Sequence, residues 1–304
     1  MFGKENLWGI DLGGTKIEGA ILLSATAPRV LFRDRLPTGS EKGYDHIVGQ
    51  IVAMVDQMKQ AAGYTPEHIG FATPGIRDPR TGTMKNCNST ALNGRTLKED
   101  LEQKIGIRVT LANDANCFAL AEARMGVVKR DFPKARVVFG IIMGTGVGGG
   151  VVVNGQVING HHGIGGEWGH NLLDPEGGLQ CYCGKKGCVE QVLSGPALQD
   201  YYLKLCGRSA TMKEIYQASL EGNDRAASMT MERLISLFGQ AVSVIINILD
   251  PDVIVIGGGV GNIDVLYSDG RDAIRPHIFN NSVETPIVKP LLGDSAGVFG
   301  AAYL

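Results

Sequence analysis

The 304-residue chain carries 29 Lys and Arg against 31 Asp and Glu, for a net charge of −2. That balance excludes an electrostatic nucleic-acid binder and leaves no polybasic tail for a membrane surface. Its 43 glycines, with no G-X-Y period and only 12 prolines, exclude collagen and point to loops where backbone approaches a ligand.

The chain opens on a β-hairpin, with Leu7 to Leu12 leading, Gly-Gly-Thr turning, and Ile17 to Leu23 returning. No apolar leader precedes it, and the longest apolar stretches, such as Ala241 to Leu249, fall far short of the ~20 residues of a membrane span. A cytoplasmic protein is expected. Tyr44 to Ala62 has helical spacing, with Ile47, Ile51, Val55 and Met58 on one face. His68 to Phe71 reads as a buried strand before Thr-Pro-Gly, Thr96 to Ile105 as a helix, and Val109 to Ala112 as a strand. Asn-Asp-Ala-Asn at 113–116 then enters a helix over Ala115 to Arg124. Val137 to Met143 is a second strand leading into glycines, Val151 to Val153 returns, and Asn154-Gly155 makes a tight hairpin to Gln156–Ile158.

Residues 165–190 show little periodicity and read as an insert held by something other than a core. From Ala226 the chain is helical, with an apolar stripe of Leu234, Leu237, Phe238, Ala241, Ile245 and Ile248. Val253 to Ile256 is a buried strand ending in Gly257-Gly258-Gly259, and Asp294 or Ser295 caps a helix beyond. Alternating strands and helices give an α/β class.

Two glycine turns follow strands. At 11–16, Gly13 and Gly14 expose amides to an anion, Thr15 adds a hydroxyl, Lys16 a charge, and Asp11 a carboxylate able to hold Mg²⁺ through water. An ordinary hairpin beside an acid is the plain alternative. At 144–150, Gly144-Thr145-Gly146-Val-Gly-Gly fits the dinucleotide fingerprint, but that fingerprint must open a helix, and here a strand follows. A Rossmann dehydrogenase is therefore disfavoured, and no Walker loop occurs. Two strand-turn-strand loops plus a glycine triplet resemble the ATP cleft of actin, hexokinases and chaperone ATPases. In that resemblance Gly13 to Lys16 and Gly144 to Gly146 hold phosphates, while Gly257, Gly258 and Gly259 lie against adenosine.

His170 is followed by Cys181, Cys183 and Cys188, a Cys₃His set suited to closed, structural, tetrahedral Zn²⁺. Three free thiols, or one disulfide with a spare, are the alternatives.

The string GH-x(10)-C-x-C-G-x-x-G-C-x-E, with DLGGTK, NDAN and GTGVGGG in order, resembles the ROK family of repressors and sugar kinases. The resemblance covers the whole chain. It implies two actin/hexokinase-like (ribonuclease H-like) lobes with the active site in the cleft between them and a zinc-stabilised loop in the second. The expected division is 1–114 with 294–304 as the small lobe and 115–293 as the large one. The implied activity is ATP-dependent phosphorylation of a hexose 6-hydroxyl, by a homodimer using Mg²⁺. Asp114 is the implied base, although a helix N-cap is its plain reading. Asn113, Glu167, His170 and Glu190 are implied to bind sugar hydroxyls, with Asn88 and Thr90 on the other side. His170 would then serve zinc through one ring nitrogen and sugar through the other.

A repressor of this family carries a DNA-binding segment before the sugar domain. Only about six residues precede the first strand here, and the charge is not basic. A non-catalytic sugar sensor is disfavoured by Asp114 and both glycine turns. Residues 85–94 resemble the fructokinase and mannokinase branch, giving fructose or mannose as the expected sugar, with N-acetylhexosamine or glucose as the alternative.

Overall fold

The computed structural model describes residues 2–304. The chain divides into two compact units. The first comprises the chain up to Lys134, Gly150–Gly166 and Leu291–Leu304; the second comprises Ala135–Gly149 and Glu167–Pro290.

In the first unit, β1 (Leu7–Leu12), β2 (Lys16–Leu22), β3 (Val30–Pro37), α1 (Tyr44–Ala62) and β4 (His68–Thr73) are followed by the small ribbon β5 (Ile76–Arg77) and β6 (Met84–Lys85). Then come α2 (Leu97–Ile105), β7 (Arg108–Asn113), α3 (Asp114–Arg124) and α4 (Val127–Asp131). The sheet order is β3-β2-β1-β4-β7, with β1, β4 and β7 parallel. Alternation along β1 decides the layers. Trp8, Ile10 and Leu12 enter a core with Ile47, Ile51, Met54 and Met58 of α1 and Leu97 and Leu101 of α2. Gly9 faces the other way, where a Cβ would stand 2.3 Å from the Val298 carbonyl. That side belongs to α10 (Ala296–Ala302), which the chain adds last, and to the small residues Ala72, Ala112, Cys117 and Ala301.

β3 has no counterpart in the sequence reading. It is an edge strand with a mostly exposed pattern, and its Arg33-Asp34-Arg35 lacks the apolar alternation that marks a strand. Asp294 and Ser295 are not side-chain caps of α10 as expected; Ser295 instead donates its hydroxyl to Glu18 Oε1 at 2.8 Å.

Beyond these lie β8 (Val137–Met143), β9 (Val147–Val153) and β10 (Gln156–Val157). The helices α5 (Glu190–Leu193), α6 (Gly195–Cys206), α7 (Met212–Glu221) and α8 (Arg225–Leu249) follow, then β11 (Val253–Gly257), α9 (Asp269–Asp272) and β12 (Ile287–Val288). The second sheet runs β10-β9-β8-β11-β12. The Asn154-Gly155 turn has both φ values positive, 52° and 73°, as a tight hairpin needs. β9 starts at Val147, so the glycine turn is only Gly144–Gly146 and the remaining glycines are strand. By length and composition α8 is the one helix among the described residues able to cross a bilayer. Its Leu234, Phe238, Ala241 and Ile245 are buried, whereas Ile248, placed on the same stripe by sequence, is 81% exposed.

Candidate functional site

In the first unit two carboxylates sit at strand ends. Asp11 lies next to last in β1, and its carboxylate rests on the first turn of α10. A Cβ at Gly297 would meet Asp11 Oδ2 at 2.6 Å, so any larger residue there would displace the carboxylate. Asp114 opens α3. The cap is not Asp114 but Asn113, whose Oδ1 accepts the Ala115 amide at 2.9 Å. Asp114 Oδ1 accepts the same amide at 2.7 Å. Asp114 keeps an exposed surface, yet burial among the surrounding protein raises its carboxyl, against the Ala115 amide and the Asn113 side chain. Burial, then repulsion from Asp114 and Glu18, pushes Asp11 up to about 7, against Lys16 and Arg35. These acids therefore stand close enough to feel each other.

The first glycine turn is closed by the Gly13 amide on the Lys16 carbonyl at 3.0 Å. Its carbonyls are tied down from outside. Thr38 donates its hydroxyl to Gly13 O at 2.7 Å and its amide to Thr15 O at 2.9 Å, and Ser40 donates to Gly14 O at 3.2 Å. Lys16 begins β2, with Nζ 3.8 Å from Glu18 Oε2. Glu18 is fully buried and takes Arg33 Nε at 2.6 Å and Arg35 Nε at 2.9 Å. Burial works against the ionised form, but Ser295, Arg35 and Arg33 win, and its carboxyl is held low. Sequence reasoning missed Glu18, Thr38 and Ser40, and gave Ser295 a capping role in place of its bond to Glu18. Only the pairing of β2 with β3 and the return of α10 bring these groups together, and no local motif announces it.

Asn88 and Thr90 lie exposed on the loop after β6, and the Asn88 amide is bound to Pro74 O at 3.3 Å. Cys87 beneath them is buried, and burial pushes its thiol up to about 12, which removes it as a nucleophile.

In the second unit the turn Gly144–Gly146 is held by the Gly195 amide on Gly144 O at 2.8 Å. Glu190 Oε2 accepts the Val147 amide at 3.1 Å and stands where a Cβ on Gly146 would be only 2.6 Å away. Thr145 is exposed at the tip. Gly258 has φ +84° and is pressed against Met143, where a Cβ would be 2.2 Å from the carbonyl. A Cβ on Gly144 would lie 3.8 Å from the Gly259 amide. The structure thus brings Gly257–Gly259 against the second glycine turn.

The donor atoms of His170, Cys181, Cys183 and Cys188 all lie within 4.8 Å of one another. Cys181 Sγ is 3.5 Å from His170 Nδ1, and Cys183 Sγ is 3.5 Å from Cys188 Sγ. All six cysteines are free thiols. Three sulfurs and one imidazole nitrogen converging on one point fit a closed Zn²⁺ shell. Gly187, with φ +73°, packs against Asp174 O, and Arg233 holds Asp174 at 2.6 Å.

His170 turns Nδ1 toward Cys181 and Nε2 away from the cysteine cluster. Its Nε2 is engaged by the Tyr182 hydroxyl at 2.9 Å, with the rings edge to face at 5.1 Å. Although Tyr182 is 65% exposed, desolvation on its inner side, then repulsion from Glu190 and Glu167, pushes its phenol up to about 12.

The model of the ROK family matches residues 7–304. The chain belongs to the ROK family. Its relatives include N-acetyl-D-glucosamine kinases of Haemophilus influenzae, 34% identical, and of Vibrio atlanticus, 37% identical, each over 98% of both chains. Among solved structures, the ROK hexokinase of Thermus thermophilus superposes with a TM-score of 0.86 at 30% identity, over 98% of this chain and 97% of that one. The ROK glucokinase of Streptomyces griseus, solved with glucose and AMPPNP, gives 0.75 at 28% identity, over 98% of both chains. This ROK protein therefore has the α/β fold of those kinases, with a Cys₃His cluster consistent with zinc.

Proposed function

We propose that the protein is an ATP-dependent sugar kinase whose substrate is an N-acetylhexosamine, N-acetylglucosamine foremost. The observation that carries the reaction class is Asp114, a carboxylate fixed at a strand-to-helix junction with its proton affinity raised. The substrate rests on the N-acetyl-D-glucosamine kinases that match 98% of both chains. They favour the alternative over the fructose or mannose suggested by residues 85–94.

In this reading Asp114 accepts the proton of the sugar 6-hydroxyl as its oxygen bonds to the γ-phosphorus and the bond to ADP breaks. A base works best with a pKa near the working pH, and burial moves Asp114 in that direction. Phosphoryl transfer otherwise needs positioning and charge stabilisation. Amides of the turns Gly13 to Lys16 and Gly144 to Gly146 serve the phosphates, and Gly257–Gly259 offers a side-chain-free face to adenosine. Asn113, Glu167 and Glu190 are assigned to sugar hydroxyls, with Asn88 and Thr90 as outer contacts. His170 joins them through Nε2, the ring nitrogen that faces away from Cys181. Asp11 is the carboxylate that would hold Mg²⁺, which supplies charge neutralisation at the phosphates. His170, Cys181, Cys183 and Cys188 would hold Zn²⁺, which supplies a cross-link for the sugar loop. The protein acts as a homodimer in this reading.

A coupled ADP-release assay on a hexose panel tests it. Turnover highest with N-acetylglucosamine is expected. Preference for fructose would overturn the substrate, and sugar binding without turnover on any hexose would make the protein a sensor.

A further inference from the structure

The parallel strands of the first unit carry Asp11 and Asp114 at one end. Their opposite ends open on a separate pocket of about 1030 Å³. The opening residues of β1, β4 and β7, namely Trp8, His68 and Arg108, line it, together with Tyr303 beyond α10. At ~3.3 Å per residue, β7 sets Arg108 roughly 16 Å from Asn113, so none of the residues assigned above belongs to this pocket.

Three cations line it: Lys4, Arg108 and Arg124. Among the described residues none of the three forms an ion pair. By contrast, Arg35 is spent on Glu18 and Arg233 on Asp174. Arg124 is held in place, its guanidinium carbon 5.9 Å from the Tyr303 ring centre and packed over Gly155. Against these charges stands Glu67, the one acidic side chain of the lining.

Tyr64 supplies the other wall, with the buried Trp8 behind it. Trp8 Nε1 donates to the Tyr64 hydroxyl at 3.0 Å, and the rings meet edge to face at 5.6 Å. Unpaired guanidinium groups suit phosphate oxygens, and a concave aromatic wall suits a small ring body. We propose that this pocket binds a small phosphate monoester on a ring body, its phosphate on Arg108 and Arg124 and its body against Tyr64.

The test titrates glucose 6-phosphate, inorganic phosphate and glucose into the full chain by calorimetry, with tryptophan fluorescence read in parallel. Arg108→Glu and Arg124→Gln serve as variants. Arg108 is exposed, so its variant keeps the fold even if the second does not. The wild type should show a glucose 6-phosphate component that each folded variant weakens about tenfold or more, with glucose binding equal in all. Inorganic phosphate should bind this component more weakly than the ester. Identical ester binding in wild type and Arg108→Glu would overturn the site. Equal affinity for phosphate and the ester would overturn the ring-body contact.

Discussion

Asp11 and Asp114 stand at the ends of regular elements, whereas His170 and its three cysteines stand on a stretch where, between β10 and α5, the helical structure is one short 3₁₀ turn over Trp168–His170. The first pair is positioned by hydrogen-bonded backbone: Asn113 caps, Ala115 donates, and Gly297 makes room. The second set is positioned by its own side chains, by two isolated β-bridges and by glycines at positive φ. A carboxylate on regular structure tolerates the loss of one neighbour. A loop built on convergent ligands loses its geometry with any one of them.

Four changes break or sharpen this contrast. Asp114→Asn should leave folding intact and lower kcat by about 10²–10⁴-fold, read in the ADP-release assay; near-normal turnover would remove Asp114 as the base. Cys183→Ser should abolish bound zinc in metal analysis and raise the sugar KM about tenfold or more, with a smaller change in kcat. An unaltered KM would separate the loop from sugar binding.

Asp11→Asn addresses the cost of the acidic pair. Because the folded Asp11 is raised from 3.8 to about 7, its favourable contribution is fully present below pH 3.8 and lost as pH rises through 7. The ionised group costs the fold roughly 4 kcal/mol above that range. In chelator at pH 8 the variant should melt about 5–10 °C above wild type. That advantage should shrink between pH 7 and pH 4, and a flat difference across pH would refute the assignment. Tyr182→Phe is the mildest change. Losing the hydroxyl on His170 Nε2 should weaken zinc about tenfold, measured by chelator competition, while zinc stays bound at rest.

The same contrast explains what the sequence could show. Tyr44–Ala62 was legible to the residue because its apolar spacing and its flanking Gly63 are local signals. The Cys₃His set was legible because ligand type and spacing are local too. The ties on the first glycine turn were not, since Thr38 and Ser40 reach it only once β3 has paired with β2. The burial of Glu18 under Arg33, Arg35 and Ser295 was hidden for the same reason, with one partner 277 positions away. The contact of Tyr182 with His170 Nε2 was not legible either, although the motif itself contains that tyrosine. The spacing could not say which way that ring turns.

The fit of α10 sets an order of events during synthesis. Gly9, Gly70 and Gly300 give it no slack: a Cβ at Gly70 would fall 1.8 Å from the Ala301 carbonyl, and one at Gly300 1.8 Å from that of Cys117. The sheet face that α10 covers is translated by Asn113, but its cover emerges roughly 170 residues after Lys134. At ~5–20 residues per second that is a wait on the order of 10–30 s. Through that interval the nascent first unit exposes a strip of glycine and alanine where a Leu- or Val-lined strip would be sticky. The close fit that needs small residues in the finished protein would also leave an uncovered sheet face with little apolar area for another chain to grip.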